Sequence, residues 1–263
     1  MEAMAQHEVE DAELSVDDRL IAPDCGFEVI DGELIAVPPC DTPHGMRSSK
    51  LAALLESHVA DDFLIAIDML TRTSRLNDFA PDASVFPRAL DPRTGRRQLE
   101  HLVFEILGTE RAKHAGRKAR ELARRGVRRI FGIDLESERC VEWERATSNW
   151  RELDPRGVIA DLAFEVPLSI AQLLTAERAD DAVAQALRKR RNAAFLAERA
   201  EGHAEGLAAG RRESIQLRLA ERHLVPTADQ LIAIRDERDV ARLERWLRAA
   251  ASCASVAELL ALA

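Results

Sequence analysis

Between His101 and Asp134 the chain spells an apolar run, a basic run and a second apolar run, and this order constrains the fold more than any other feature. Leu102-Val103-Phe104-Glu105-Ile106-Leu107 has the length of a strand and a single acid in it. Such a run suits a central strand covered on both faces. Residues 111–125 read as a helix, closed by Gly126 as its C-cap. Arg129-Ile130-Phe131-Gly132-Ile133-Asp134 reads as a second buried strand. Strand, helix and strand in that order make a crossover unit, so part of the sheet is predicted to be parallel.

The flanking segments add short strands and one helix. Phe27-Glu28-Val29-Ile30 and Glu33-Leu34-Ile35-Ala36-Val37 read as a hairpin, because Asp31-Gly32 supplies the positive φ of a tight two-residue turn. Leu51, Leu54, Leu55 and Val59 give residues 44–60 the spacing of an amphipathic helix. Phe63–Ile67 and Ala83–Phe86 are further strands, Cys140–Trp143 an edge strand, and 87–99 a loop rich in Pro, Arg and Gly. The predicted class is α/β, an α+β mixed sheet with an all-helical C-terminal extension. After Pro167 the pattern is helical: Leu168–Ala176 reads as a short helix and residues 178–213 as one long charged helix carrying Gly202, Gly206 and Gly210 at four-residue spacing. That spacing suits either close helix approach or a weak linker helix. Thr227, Asp239 and Ser255 are predicted N-caps of three final helices, with Leu243, Trp246 and Leu247 facing a small core. The expected organisation is an acidic disordered arm over residues 1–20, a mixed α/β domain over 21–175 and a helical extension over 176–263.

Charge distribution is more informative than its total. The net charge is −9, yet residues 1–33 hold eleven acids and only Arg19 as a base, so the other 230 residues are close to neutral. Within those, residues 111–129 hold nine Lys or Arg and only Glu121 as an acid, a patch able to bind phosphates despite an acidic total. Cys25, Cys40, Cys140 and Cys253 have neither zinc-ligand nor disulfide-framework spacing. No apolar run approaches the ~20 residues of a membrane span, and the expected location is cytoplasmic. Phosphate-loop, dinucleotide, HExxH and GxSxG patterns do not occur.

Three residues stand out chemically: Asp82 after Pro81, Glu105 inside its apolar strand, and Lys118 in the basic helix. An ionised carboxylate in such a strand costs several kcal/mol unless a cation or lysine compensates it. Alternation puts Phe104 and Ile106 on the face opposite Glu105, and Val103 and Leu107 on its own. On the helix, Ala115, Ala119, Leu122 and Gly126 share the stripe expected to face the sheet, with Lys118 at its edge beside Arg111, His114 and Arg125. Two carboxylates and a lysine are what metal-dependent phosphodiester cleavage requires.

Phe27 to Leu34, His44, Ala80-Pro81-Asp82-Ala83-Ser84-Val85, Val103 to Leu107, Lys118, Gly126-Val127, Ile130 and Ile133-Asp134 follow one another as in a known family. Over about residues 21–175 the chain resembles the Uma family of putative restriction endonucleases, within the restriction-endonuclease-like PD-(D/E)XK superfamily. The resemblance implies a mixed sheet flanked by helices and a DNA endonuclease whose Asp82 and Glu105 hold Mg²⁺ or Mn²⁺, with Lys118 as the catalytic lysine. It also implies Glu33 and His44 as residues near the site, Glu33 as either a further metal ligand or a water-mediated contact. His44, Arg111, Lys113, His114, Arg117, Arg120 and Arg125 are the candidate contacts to substrate. Leu107 stands where the superfamily usually has its lysine; Gly108-Thr109-Glu110 and His114 also depart from the family pattern. A nuclease fold that binds nucleic acid or a partner without cutting is the alternative, and a helical assembly protein is a third reading. The extension is read as an interaction module, through a homodimer or a partner protein.

Overall fold

The computed structural model describes residues 14–22, 26–37, 41–108, 112–134, 136–175 and 179–262, without the side chains of Ala112 and Lys113. The chain divides into two compact units, one ending at Arg190 and one beginning at Arg191. The first unit starts with β1 (Phe27–Ile30), β2 (Glu33–Ala36), α1 (Thr42–His58), β3 (Phe63–Ile67), β4 (Thr71–Arg72), β5 (Asp78–Phe79) and β6 (Ala83–Pro87). It continues with β7 (Leu102–Leu107), α2 (Ala112–Arg125), β8 (Arg129–Asp134), β9 (Arg139–Glu144) and β10 (Asn149–Glu152). It closes with β11 (Val158–Ile159), β12 (Leu168–Ser169), α3 (Ile170–Leu174) and α4 (Asp180–Lys189).

The principal sheet has the order β10-β9-β8-β7-β6-β3. Its β7–β8 pair is parallel and is bridged by α2, the crossover that the two apolar runs predict. The other pairs in this sheet are antiparallel. All six residues of β7 are buried, which is why its sequence is apolar on both faces. One face turns Phe104, Ile106, Phe131 and Ile133 toward Leu51, Leu54 and Leu55 of α1. The other turns Val103 and Ile130 toward Ala119, Leu122 and Ala123 of α2, with Leu107 against Ala115. Glu105 therefore lies on the α2 side, as alternation requires. A smaller antiparallel sheet, β2-β1-β5-β4, adds Ile30 and Phe79 to that second core.

Glycine and turn chemistry fix several elements. Asp31 and Gly32 both have positive φ, 53° and 81°, which matches the twist of the β1–β2 hairpin. Gly126, at φ 116°, ends α2 and passes its N–H to Leu122 and Ala123. Gly132 pairs with Glu105 in the sheet, and a Cβ there would stand 2.7 Å from Leu107 Cδ1 and 2.8 Å from Val141 Cγ2. Gly132→Ala is thus expected to lower the unfolding free energy by about 1–3 kcal/mol, read from the urea midpoint.

Four expectations differ from the structure. Cys140–Trp143 lies inside the sheet, because β10 adds beyond β9 and packs Trp150 edge-on to Trp143 at 5.1 Å. Asn149-Trp150-Arg151-Glu152 is too polar to signal a strand; pairing with β9 and one indole contact make it one. Leu168 and Ser169 pair with β11, so the short helix begins only at Ile170. The helix expected over 178–213 is two helices, because Arg191 takes φ 53° and the Asn192 side chain caps the next helix at Phe195 N–H. Residues 14–20 are docked, with Val16 buried, Asp17 on Arg97 and Asp18 on Arg96. The rest of the expected arm, residues 1–13, lies outside the described residues.

The second unit consists of α5 (Ala193–Glu221), α6 (Ala228–Asp236), α7 (Val240–Ala249) and α8 (Val256–Leu260). Thr227, Asp239 and Ser255 cap the last three as predicted, Thr227 with Gln230 as a reciprocal capping box. Ile215, Leu219, Ile234, Leu243, Trp246 and Leu259 form its core. No heavy atom lies within 4 Å of a Cβ built on Gly202, Gly206 or Gly210, so the glycine stripe makes no close helix approach among the described residues.

Candidate active site

At the end of the principal sheet next to the hairpin, Glu28, Asp82, Glu105 and Lys118 come together with His44. The register Ala83↔Phe104 sets Asp82, one residue earlier, beside Glu105. Asp82 Oδ2 accepts the Ile106 N–H at 2.5 Å, and His44 Nε2 lies 3.1 Å from Asp82 Oδ1. His44 reaches this point from the first turn of α1, where Asp41 caps the helix by accepting the His44 N–H at 2.9 Å. Lys118 leaves α2 beside the buried Ala115–Ala119–Leu122 stripe and is itself buried, its stem covered and its ammonium turned to the acids. Its Nζ stands 2.9 Å from Glu28 Oε1, 3.5 Å from Glu105 Oε2 and 3.2 Å from the Ala80 carbonyl.

The electrostatics follow from this crowding. Burial pushes the Glu105 carboxyl up to about 8; Asp82 and Glu28 push the same way, and the Lys118 ammonium only partly opposes them. Burial would also raise Asp82, but the His44 hydrogen bond, the Ile106 N–H and Lys118 outweigh it and hold the carboxyl below its ordinary value. Burial would lower Lys118, yet Glu105, Glu28 and Asp82 together raise it. One acid held below its ordinary value, one pushed well above it and an ammonium in the same cluster is an arrangement that functional sites use. Glu105 Oε1 is buried and has no hydrogen-bond partner, an acceptor that a bound cation would satisfy.

That donor set suits Mg²⁺ or Mn²⁺. Among the described residues no three His, Cys, Asp or Glu side chains are placed so that together they could hold a metal ion. Mg²⁺ keeps several waters and takes only one or two carboxylates, and Asp82 and Glu105 offer that number.

The remaining predicted residues divide. Glu33 is exposed on β2, and the hairpin acid that reaches the cluster is Glu28. The signal for Glu28 was present in the sequence: like Glu105 it is an acid inside an apolar strand run, with Val29 and Ile30 buried beside it. His114 and Arg120 are exposed on α2. Arg117 pairs with Asp31 in the hairpin turn. Arg125 donates to the Leu14 carbonyl. Arg111 and the side chain of Lys113 lie outside the described residues.

The sequence model of a family described as "Uma2: Putative restriction endonuclease" matches residues 14–174, more than half of the chain. The chain belongs to the Uma2 family. Membership places it with proteins described as endonuclease-type hydrolases. No curated protein matches the chain. A crystal structure of a "putative nuclease belonging to DUF820" from Anabaena variabilis is 18% identical with a TM-score of 0.48, covering 56% of this chain and 89% of that one. Among the described residues no helix of this Uma2 protein is long and apolar enough to cross a membrane.

Proposed function

We propose that this Uma2 protein is a Mg²⁺-dependent endonuclease that hydrolyses DNA phosphodiester bonds, with residues 21–175 as its catalytic part. The observation that carries the reading is the convergence of Asp82, Glu105 and Lys118 around a buried carboxylate oxygen lacking a partner. Asp82 and Glu105 are the ligands. A Mg²⁺ or Mn²⁺ ion held there would polarise the phosphate and make a water more acidic. Lys118 presents a permanent positive charge that orients the attacking water and offsets charge building on the phosphate oxygens. His44 holds Asp82 in place, and the exposed side chains of His114 and Arg120 on α2 face solvent where a phosphate backbone can approach. We assign residues 176–263 to self-association or binding of a partner protein, and the compartment to the cytoplasm.

The deciding experiment is nicking of supercoiled plasmid in Mg²⁺, Mn²⁺ or EDTA, beside Glu105→Gln and Lys118→Ala. Nicking that requires the metal and is lost in both variants is the expected result. Binding of metal and DNA with no cutting under any condition would point instead to the binding module.

Metal binding should also depend on pH. With Glu105 near 8 in the metal-free protein, Mg²⁺ binding at pH 7 is expected to release about one proton, and at pH 9 close to none. Apparent affinity should rise about tenfold per unit up to pH 8 and then level off. Calorimetry in two buffers of different ionisation enthalpy measures the proton count; no release at pH 7 would show that Glu105 is already ionised.

A further inference from the structure

Glu28 lies within the cluster, yet it is tied differently from Asp82 and Glu105. Its Oε1 accepts two hydrogen bonds, from the Ala80 N–H at 2.8 Å and from Lys118 Nζ at 2.9 Å. Lys118 Nζ donates in turn to the Ala80 carbonyl at 3.2 Å. Glu28, Ala80 and Lys118 thus form a closed link, and Ala80 immediately precedes Pro81-Asp82. The ammonium has a berth built from a carboxylate and a peptide group, and neither is one of the proposed cation ligands. The 3.5 Å approach to Glu105 Oε2 is the looser contact.

We propose that Glu28 is a positioning residue that keeps the Lys118 ammonium parked beside Ala80, so that Glu105 can turn to a cation while the lysine stays in the site. The proposal rests on the reading of Asp82 and Glu105 as cation ligands. Without the berth, the ammonium would find its anions only at Glu105 and Asp82, and would compete there with the incoming ion. Glu28 acts through Lys118 and needs no contact with the cation. The same link holds the Ala80-Pro81 entry to Asp82, so the berth also fixes where the first ligand stands relative to the lysine.

The test is a cycle of four full-length proteins, wild type, Glu28→Gln, Lys118→Met and the double variant, titrated with Mn²⁺ alone and followed by the resonance signal of the free ion. Glu28→Gln is expected to weaken Mn²⁺ binding about tenfold when Lys118 is present, and less than about threefold when Lys118→Met is already in place. Equal weakening in both backgrounds would overturn the proposal, since Glu28 would then act on the cation directly. The same four proteins, with Glu105→Gln and the double variant Glu105→Gln/Lys118→Met added, are unfolded in urea without metal. The berth predicts that the Glu28–Lys118 pair departs from additivity by at least about tenfold in the unfolding equilibrium, and by more than the Glu105–Lys118 pair. Additive effects of Glu28 and Lys118 would overturn it. Absence of Mn²⁺ binding in the wild type would overturn the cation-site reading and the turning of Glu105 to a cation with it, while the unfolding cycle still decides whether Glu28 holds the lysine.

Discussion

Glu105→Gln is expected to stop metal-dependent cleavage while making the metal-free protein more stable. The carboxyl lies within a buried strand, and burial with two neighbouring acids lifts it from 4.5 to about 8. An acid raised in the folded state destabilises that state as pH increases. The penalty is absent below the ordinary value, grows between pH 4.5 and about 8, and is complete above it. At about 1.4 kcal/mol per unit, the wild type loses on the order of 3 kcal/mol by pH 7 and about 5 kcal/mol above pH 8. Gln keeps the shape without the charge, so the gap in unfolding free energy between variant and wild type should widen across that window and vanish near pH 4. Added Mg²⁺ should stabilise the wild type and leave the variant unchanged. Changes that only reorient metal ligands cost about 10–100-fold, so loss of a ligand should lower plasmid nicking by more than about a hundredfold. Urea titrations at pH 4, 7 and 9 check the stability trend; a variant less stable than the wild type at pH 9 would show that the carboxylate is well paired rather than strained.

Lys118→Met should have the opposite effect on stability. Its ammonium is the cation nearest to Glu28 and Glu105, and removing it leaves buried carboxylates facing one another. Breaking a buried ion pair from one side costs about 3–5 kcal/mol, and the urea midpoint should fall accordingly at pH 7. The lysine is raised above 10.5 in the folded protein, so its stabilising effect is present in full below that pH and is lost only as pH rises beyond it. The pH trend of the variant must then come from the acids. Protonating them relieves the repulsion, so the deficit should shrink toward pH 4 and be largest near pH 9. Lys118→Arg should rescue little, because the planar guanidinium does not fit a berth made for a point charge. A Lys118→Met protein as stable as the wild type at pH 9 would mean that water already screens the cluster.

Much of this site was legible one residue at a time. Glu105 announces itself as a lone acid in Leu102–Leu107, because a buried charge must have a compensating partner. Lys118 follows from helix periodicity, which set it at the rim of the stripe that packs on the sheet. Asp31-Gly32 foretold its hairpin and Gly126 its helix end, since positive φ is a local steric matter. Glu28 is buried and Glu33 exposed although both lie on one hairpin: sequence tells which residues share a strand face, and only pairing with β5 decides which acid is turned inward. Arg125 shows the same limit, as its neighbour is a carbonyl more than a hundred residues earlier in the chain.

By itself, then, the sequence determined the β7–α2–β8 crossover, the hairpin turn, the caps of the last three helices and the presence of one acid, Glu105, in a strand where a charge needs a compensating partner. These depend on steric and periodic rules that act over a few residues. Tertiary structure alone decided that β10 covers the would-be edge at Trp143, that residues 14–20 dock rather than trail, and that Glu28 joins the cluster. Each of those rests on contacts between segments far apart in the chain, where desolvation and charge pairing set the energy and local propensity has no influence.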